Sequence, residues 1–153
     1  MAVTISELKE LLSAIPSYKL LPGPNDQSVG LLFLTENFKN LVDGEKKIVV
    51  FVALEQDGRY IKVLSPQAFK VKRGRHVDDF WKACMMIQWK TKLIQFEYDD
   101  TDGEVRPIVE WPIEDGGLTS MQLRRAIDGL VQLVDHYAPA LELAATKGRI
   151  ELD

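Results

Sequence analysis

Residues Lys47–Leu64, KIVVFVALEQDGRYIKVL, decide the fold. The first eight are rich in β-branched side chains, which suit a pleated strand. Their unbroken hydrophobicity over Ile48–Leu54 predicts burial on both faces or a place at the centre of a sheet. Glu55-Gln56-Asp57-Gly58 then supplies a turn, with Asp57-Gly58 tolerating positive φ. Arg59–Leu64 is the return strand of the hairpin. Upstream, Val29–Thr35 (VGLLFLT) is a further short apolar run opened by turn residues. Neighbouring strands usually pair, so three antiparallel strands in chain order are expected.

Helical periodicity begins after this block. Val77, Phe80, Cys84 and Ile87 form one apolar stripe over residues 77–90, as a core-facing helix requires. Trp81, Met85 and Trp89 form a second stripe at i, i+4 and i+8. One sheet face does not cover both stripes. The second either packs under another helix of the chain or is a surface for a partner or a second copy.

Lys92–Tyr98 alternates, with Ile94, Phe96 and Tyr98 on one side and Leu93, Gln95 and Glu97 on the other. A turn through Asp99–Gly103 leads to Glu104–Trp111, where Val105, Val109 and Trp111 share a face. Pro107 within that run predicts an edge strand or a bulge.

Helices close both ends. Thr4 and Glu7 make a capping box, followed by Leu8, Leu11, Leu12 and Ile15 at helical spacing, until Pro16. Thr119 and Gln122 make a second box, followed by Leu123, Ile127, Leu130, Val134 and Tyr137. Pro139 kinks that last helix or starts a new turn, and Gly148 caps it. The expected order is α-β-β-β-α-β-β-α: one α+β domain over residues 1–153, with an antiparallel sheet of about five strands.

Composition agrees with a globular protein, 46% apolar and 27% charged. The apolar run Ile48–Leu54 falls far short of the ~20 residues that cross a bilayer. The opening residues lack the order of a secretion signal, and the single cysteine, Cys84, forms no internal disulfide. A cytoplasmic location and no membrane association are the expectation.

Charge is uneven along the chain. Residues 59–92 hold nine basic and two acidic side chains, against five and thirteen in residues 93–153. Lys70, Lys72, Arg73 and Arg75 form a basic cluster able to meet phosphates or an acidic surface. No aromatic–glycine RNA signature accompanies it, so a solvated loop is the simpler reading and nucleic acid the alternative one.

No constellation for catalysis stands out. Neither His76 nor His136 has a local nucleophile, and Cys84 lies on an apolar stripe where a thiol is inert. Asp99, Asp100, Asp102 and Glu104 fail the spacing of a calcium loop and read as turn residues. Phosphate-binding glycine loops and nucleophile elbows are absent from the sequence. A carboxylate site assembled in space, for instance around Asp99 or Glu110, would need a deep polar cleft. No enzymatic activity, catalytic residue, metal or cofactor is therefore expected.

The stretch Lys82–Leu141 resembles the YbjN-like family, a widespread bacterial group with the fold of type III secretion chaperones. Three features carry it: the helix running into a strand (WKACMMIQWKTKLIQFEYD), the hairpin DDTDGEVRPIVEWPIED, and the Gly-Gly-Leu-Thr opening of the last helix with Gln122 and Leu123. That helix continues through Leu130, Val131 and Val134 to Pro139 and Leu141. The resemblance implies a helix–sheet–helix module, commonly dimeric, that binds other polypeptides or serves signalling or stress responses, without cofactor. Trp81, Met85, Trp89 and Trp111 are then the candidate partner or dimer contacts. A chaperone-like or regulatory homodimer is the expectation, with a peptide along a sheet edge or in an apolar groove.

Overall fold

The computed structural model describes residues 2–71, 74–115 and 117–153. Helix α1 (Ile5–Ser13) precedes strands β1 (Leu21–Pro22), β2 (Ser28–Leu34), β3 (Lys47–Glu55), β4 (Tyr60–Leu64) and β5 (Phe69–Lys70). Helix α2 (Val77–Lys90), strands β6 (Gln95–Asp99) and β7 (Glu104–Pro112), and helix α3 (Ser120–Lys147) complete it.

All pairings are antiparallel. β2, β3 and β4 pair in chain order, β4 pairs β7, and β7 pairs β6. Glu104 is opposite both Lys70 and Asp99, so β5 and β6 flank β7 on opposite sides. The five long strands are the expected ones. β1 and β5 are additions, each two residues long.

Strands β4 and β5 act as one strand interrupted at residues 65–68, and this explains Pro107. In a strand, the N–H and C=O of one residue point the same way. The Pro107 carbonyl accepts from Ser65 N at 3.2 Å, so the missing N–H faces the interruption. Pro107 is therefore tolerated in an interior strand opposite a bulge, and the edge reading is corrected. Ser65 Oγ donates to Val49 O (2.9 Å), and the Gln67 amides donate to the buried Glu104 carboxylate (2.7 and 2.6 Å).

The sheet has one covered face. Val29 and Leu31 of β2, Ile48, Val50, Val52 and Leu54 of β3, Ile61 and Val63 of β4, and Val109 of β7 are buried there. Leu8 and Leu12 of α1 and Leu123, Ile127, Leu130 and Val134 of α3 pack on them. Between these positions Val49 is exposed and Phe51 and Ala53 are half-buried. β3 is thus central but buried on one face only. Central pairing, not double burial, explains its run of hydrophobic residues.

A smaller core joins α2 to the rest. Phe80, Ala83, Cys84 and Ile87 pack with Val71, Val105, Leu141 and Ala144. α3 is one helix through Pro139, opened by the Thr119–Gln122 box and closed by Gly148 at φ 65°. A Cβ on Gly148 would sit 2.5 Å from His76 Nδ1, so the left-handed cap also lets the two helix ends meet. In the β3–β4 turn Gln56, Asp57 and Gly58 all take positive φ. β6 starts at Gln95, later than the alternation from Lys92 implied, because Leu93 at φ 70° breaks the extended chain.

Cys84 is buried, and burial pushes its thiol up to about 12. We expect no labelling by a thiol reagent under native conditions and stoichiometric labelling in denaturant. Rapid native labelling would show that α2 lifts from its core.

Candidate interaction surfaces

α2 is amphipathic twice over. Its inner stripe is the buried set above, with Val77 partly buried beside it. Its outer stripe points away: Trp89 is 90% exposed and Met85 65%, with Met86 and Leu93 also exposed. No residue of another helix covers Met85 or Trp89 among the described residues. Such large apolar side chains side by side on one helix are an exposed patch, not scattered surface residues.

Trp81 is the hinge between the two stripes. It is half-buried and meets Phe80 (centroids 5.6 Å) and Tyr98 of β6 (4.7 Å) edge to face. Phe80 in turn meets Phe69 (6.2 Å), which meets Phe38 (5.9 Å). A chain of rings thus runs from the large core to the outer surface of α2 and fixes its orientation.

Trp111 lies elsewhere. It pairs with Ile61 near the end of β7 and packs against the large core. Val105, which α2 touches, is six residues away along the strand, roughly 20 Å. The structure brings Trp81, Met85 and Trp89 together on α2 and does not bring Trp111 to them.

Of the basic cluster, Lys70 is on β5 and Arg75 lies before α2, both exposed. They line a shallow cleft of about 310 Å³ with Val71, His76, Val77 and Ala145. Lys72 and Arg73 lie outside the described residues.

Carboxylates gather on the uncovered sheet face. Glu97 pairs with Lys62 Nζ (2.9 Å) and Arg106 Nε (3.0 Å); Arg106 also reaches Glu104 (3.6 Å), and Lys62 lies 3.9 Å from Glu110. Partial burial pushes the Glu97 carboxyl up, but Lys62 and Arg106 together hold it below its ordinary value. These are paired cross-strand charges, an arrangement that stabilises a sheet. Asp99 accepts from the backbone and hydroxyl of Thr101 in the β6–β7 turn (2.9 and 2.6 Å), remote from Glu110 at the other end of β7. The two do not form a common cleft.

Two exposed leucines of β2 went unread in the sequence. Leu32 is 48% and Leu34 85% exposed on the uncovered face. VGLLFLT is apolar at nearly every position, so its alternation of faces is invisible; the available signal was that no one-sided strand needs so many leucines.

A sheet with its helices on one face, an α2 carrying an outer aromatic stripe, and a 28-residue last helix make this a YbjN-like α+β fold. One match among solved structures is YbjN from E. coli, described as a candidate transcription regulator: 12% identity, 91% of this chain and 94% of that chain covered, TM-score 0.64. No family model matches the sequence, and a comparison with curated proteins finds no match. Among the described residues no helix is long and apolar enough to cross a membrane.

Proposed function

We propose that this protein is a non-enzymatic protein-binding module, chaperone-like or regulatory, that works as a homodimer in the cytoplasm without a cofactor. The observation that carries the reading is the outer stripe of α2. Met85 and Trp89 are held in solvent by a helix whose opposite side is fully buried. Exposing an indole to this extent has no folding benefit, whereas Trp and Met are favoured where proteins meet. Trp81 supports the stripe from beneath, and α2 presents it to a partner polypeptide as a rigid helix face.

The test is affinity capture of the tagged chain from its own cells, wild type beside Trp89→Glu, with mass spectrometry of what co-elutes. The reading predicts a protein retained by the wild type and lost from the variant. Identical retention by both, or nothing above an untagged control, would refute it. Trp89→Glu is also expected to leave the urea midpoint nearly unchanged, since surface substitutions usually stay within about 0.5 kcal/mol.

A further inference from the structure

The register of β2 shows which of its residues face outward. Thr35 N donates to Lys46 O (3.0 Å) and Leu54 N to Gln27 O (2.9 Å), so the odd-numbered residues face β3. Gly30, Leu32 and Leu34 therefore turn their N–H and C=O away from the sheet. β1 takes up Gly30, since Leu21 is its partner. Pro22, opposite Val29, needs no N–H there. Leu32 and Leu34 have no strand beside them among the described residues.

This open edge is bounded on both sides. β1 ends it at Gly30. Beyond Thr35 the chain leaves the sheet, and the Asp135 carboxylate receives the N–H groups of Glu36 (2.9 Å), Asn37 (2.7 Å) and Phe38 (2.8 Å). What remains is a short window with two unpaired backbone pairs and two exposed leucines. The far edge, β6, carries Gln95, Glu97 and Asp99, and its Phe96 N is met by Gln88 Oε1 (3.3 Å). Charge and covering protect that edge; at β2 the Tyr18 ring sits edge to face on Phe33 on the covered side (5.5 Å), while the backbone groups of Leu32 and Leu34 stay open.

We infer that the open edge of β2 pairs with β2 of a second copy, antiparallel about a two-fold axis at Phe33. The inference rests on the homodimer reading above and names its surface, leaving the α2 stripe for the partner. Leu32 then lies opposite Leu34 of the other copy, and the reverse. Both are outward-facing, so this is the hydrogen-bonding register, and the four backbone groups of each copy are satisfied. The four leucines meet on the uncovered face as cross-strand neighbours.

The ends also fit. Extending the pairing would set Glu36 against Gly30 of the other copy, a position that Leu21 of that copy already holds. Glu36 has left the strand at that residue. An unrelated extended peptide would meet the same edge groups, but nothing about it would require the edge to stop where a copy of this chain must turn away. The symmetry is isologous, and joining the edges removes the exposed strand that each monomer would otherwise carry.

Two experiments test this. In sedimentation velocity at micromolar concentration the wild type is expected to be dimeric and Leu34→Pro monomeric. Proline removes an N–H that the monomer leaves free, and far-ultraviolet circular dichroism checks that the variant is folded. In the second, an oxidised equimolar mixture of Leu32→Cys and Leu34→Cys chains is expected to cross-link between the two types, since opposed residues lie about 5.5 Å apart at Cα. Leu32→Cys alone should cross-link far more weakly, its two copies being roughly 8 Å apart. Buried Cys84 gives little background.

A dimer that survives Leu34→Pro but is split by Trp89→Glu would overturn the edge and leave the homodimer standing on α2. A monomeric wild type would overturn both, without touching the capture result. A folded wild type that stays monomeric until an extended peptide binds at Leu32 and Leu34 would replace the second copy by a foreign strand.

Discussion

Phe80→Ala is expected to destabilise the protein by about 3–5 kcal/mol, the range for removing a buried aromatic ring. Phe80 is 1% exposed and stands between Phe69 and Trp81 in the chain of rings. It also packs with Leu141 and Ala144 of α3. The cavity would therefore open where α2, α3 and β5 converge, a junction made from three separate parts of the chain. Loss of Phe80 also removes the ring beneath Trp81, so α2 should loosen before the large core does. Urea unfolding followed by circular dichroism measures the first effect. Thiol labelling of Cys84 under native conditions measures the second. A loss below about 1 kcal/mol would mean that α2 is only loosely seated.

Asp135→Ala comes next, at about 2–3 kcal/mol. One carboxylate on α3 receives three consecutive backbone N–H groups from the β2–β3 connection. Bonds to a charged acceptor contribute more than neutral ones, and alanine returns the Glu36 and Asn37 N–H groups to solvent and leaves that of buried Phe38 without a partner. Partial burial raises the Asp135 carboxyl, but the three N–H groups together hold it below its ordinary value. The sign of the pH dependence follows. A carboxyl lowered in the folded state contributes fully above its unfolded value, about 3.9, and loses that contribution as pH falls through the folded value. The stability gap between wild type and Asp135→Ala should thus be constant near neutrality and shrink below about pH 4. Asp135→Asn, which keeps an acceptor but not the charge, should fall between them. A gap independent of pH would assign the effect to packing.

The parts of the fold that were legible are those written locally. The boxes at Thr4–Glu7 and Thr119–Gln122, the turn at Asp57-Gly58 and the inner stripe of α2 each depend on residues within a few positions of one another. β1 and β5 depend on nothing local. Two residues carry no periodicity, and these two strands exist because β2 and β7 offer them partners. Pro107 looked like an edge residue because its tolerance comes from the interruption at residues 65–68, which lies 39–42 positions earlier. The Asp135 clamp was equally silent, since its donors lie 97–99 positions away. For the candidate site, the spacing of Trp81, Met85 and Trp89 was enough to place them on one side of α2. Spacing did not separate Trp81, half-buried on Tyr98, from Trp89 in solvent, because that difference is set by β6. Trp111 was grouped with them by residue type, and strand geometry places it roughly 20 Å from the end of β7 that α2 touches.

The central claim is that the outer stripe of α2 is where another protein docks. Its most direct test is iodide quenching of Trp89 fluorescence, taken as the difference between wild type and Trp89→Phe, with and without the captured partner. The account predicts an indole freely quenched in the protein alone and shielded in the complex. Equal quenching at a saturating concentration of partner would contradict it.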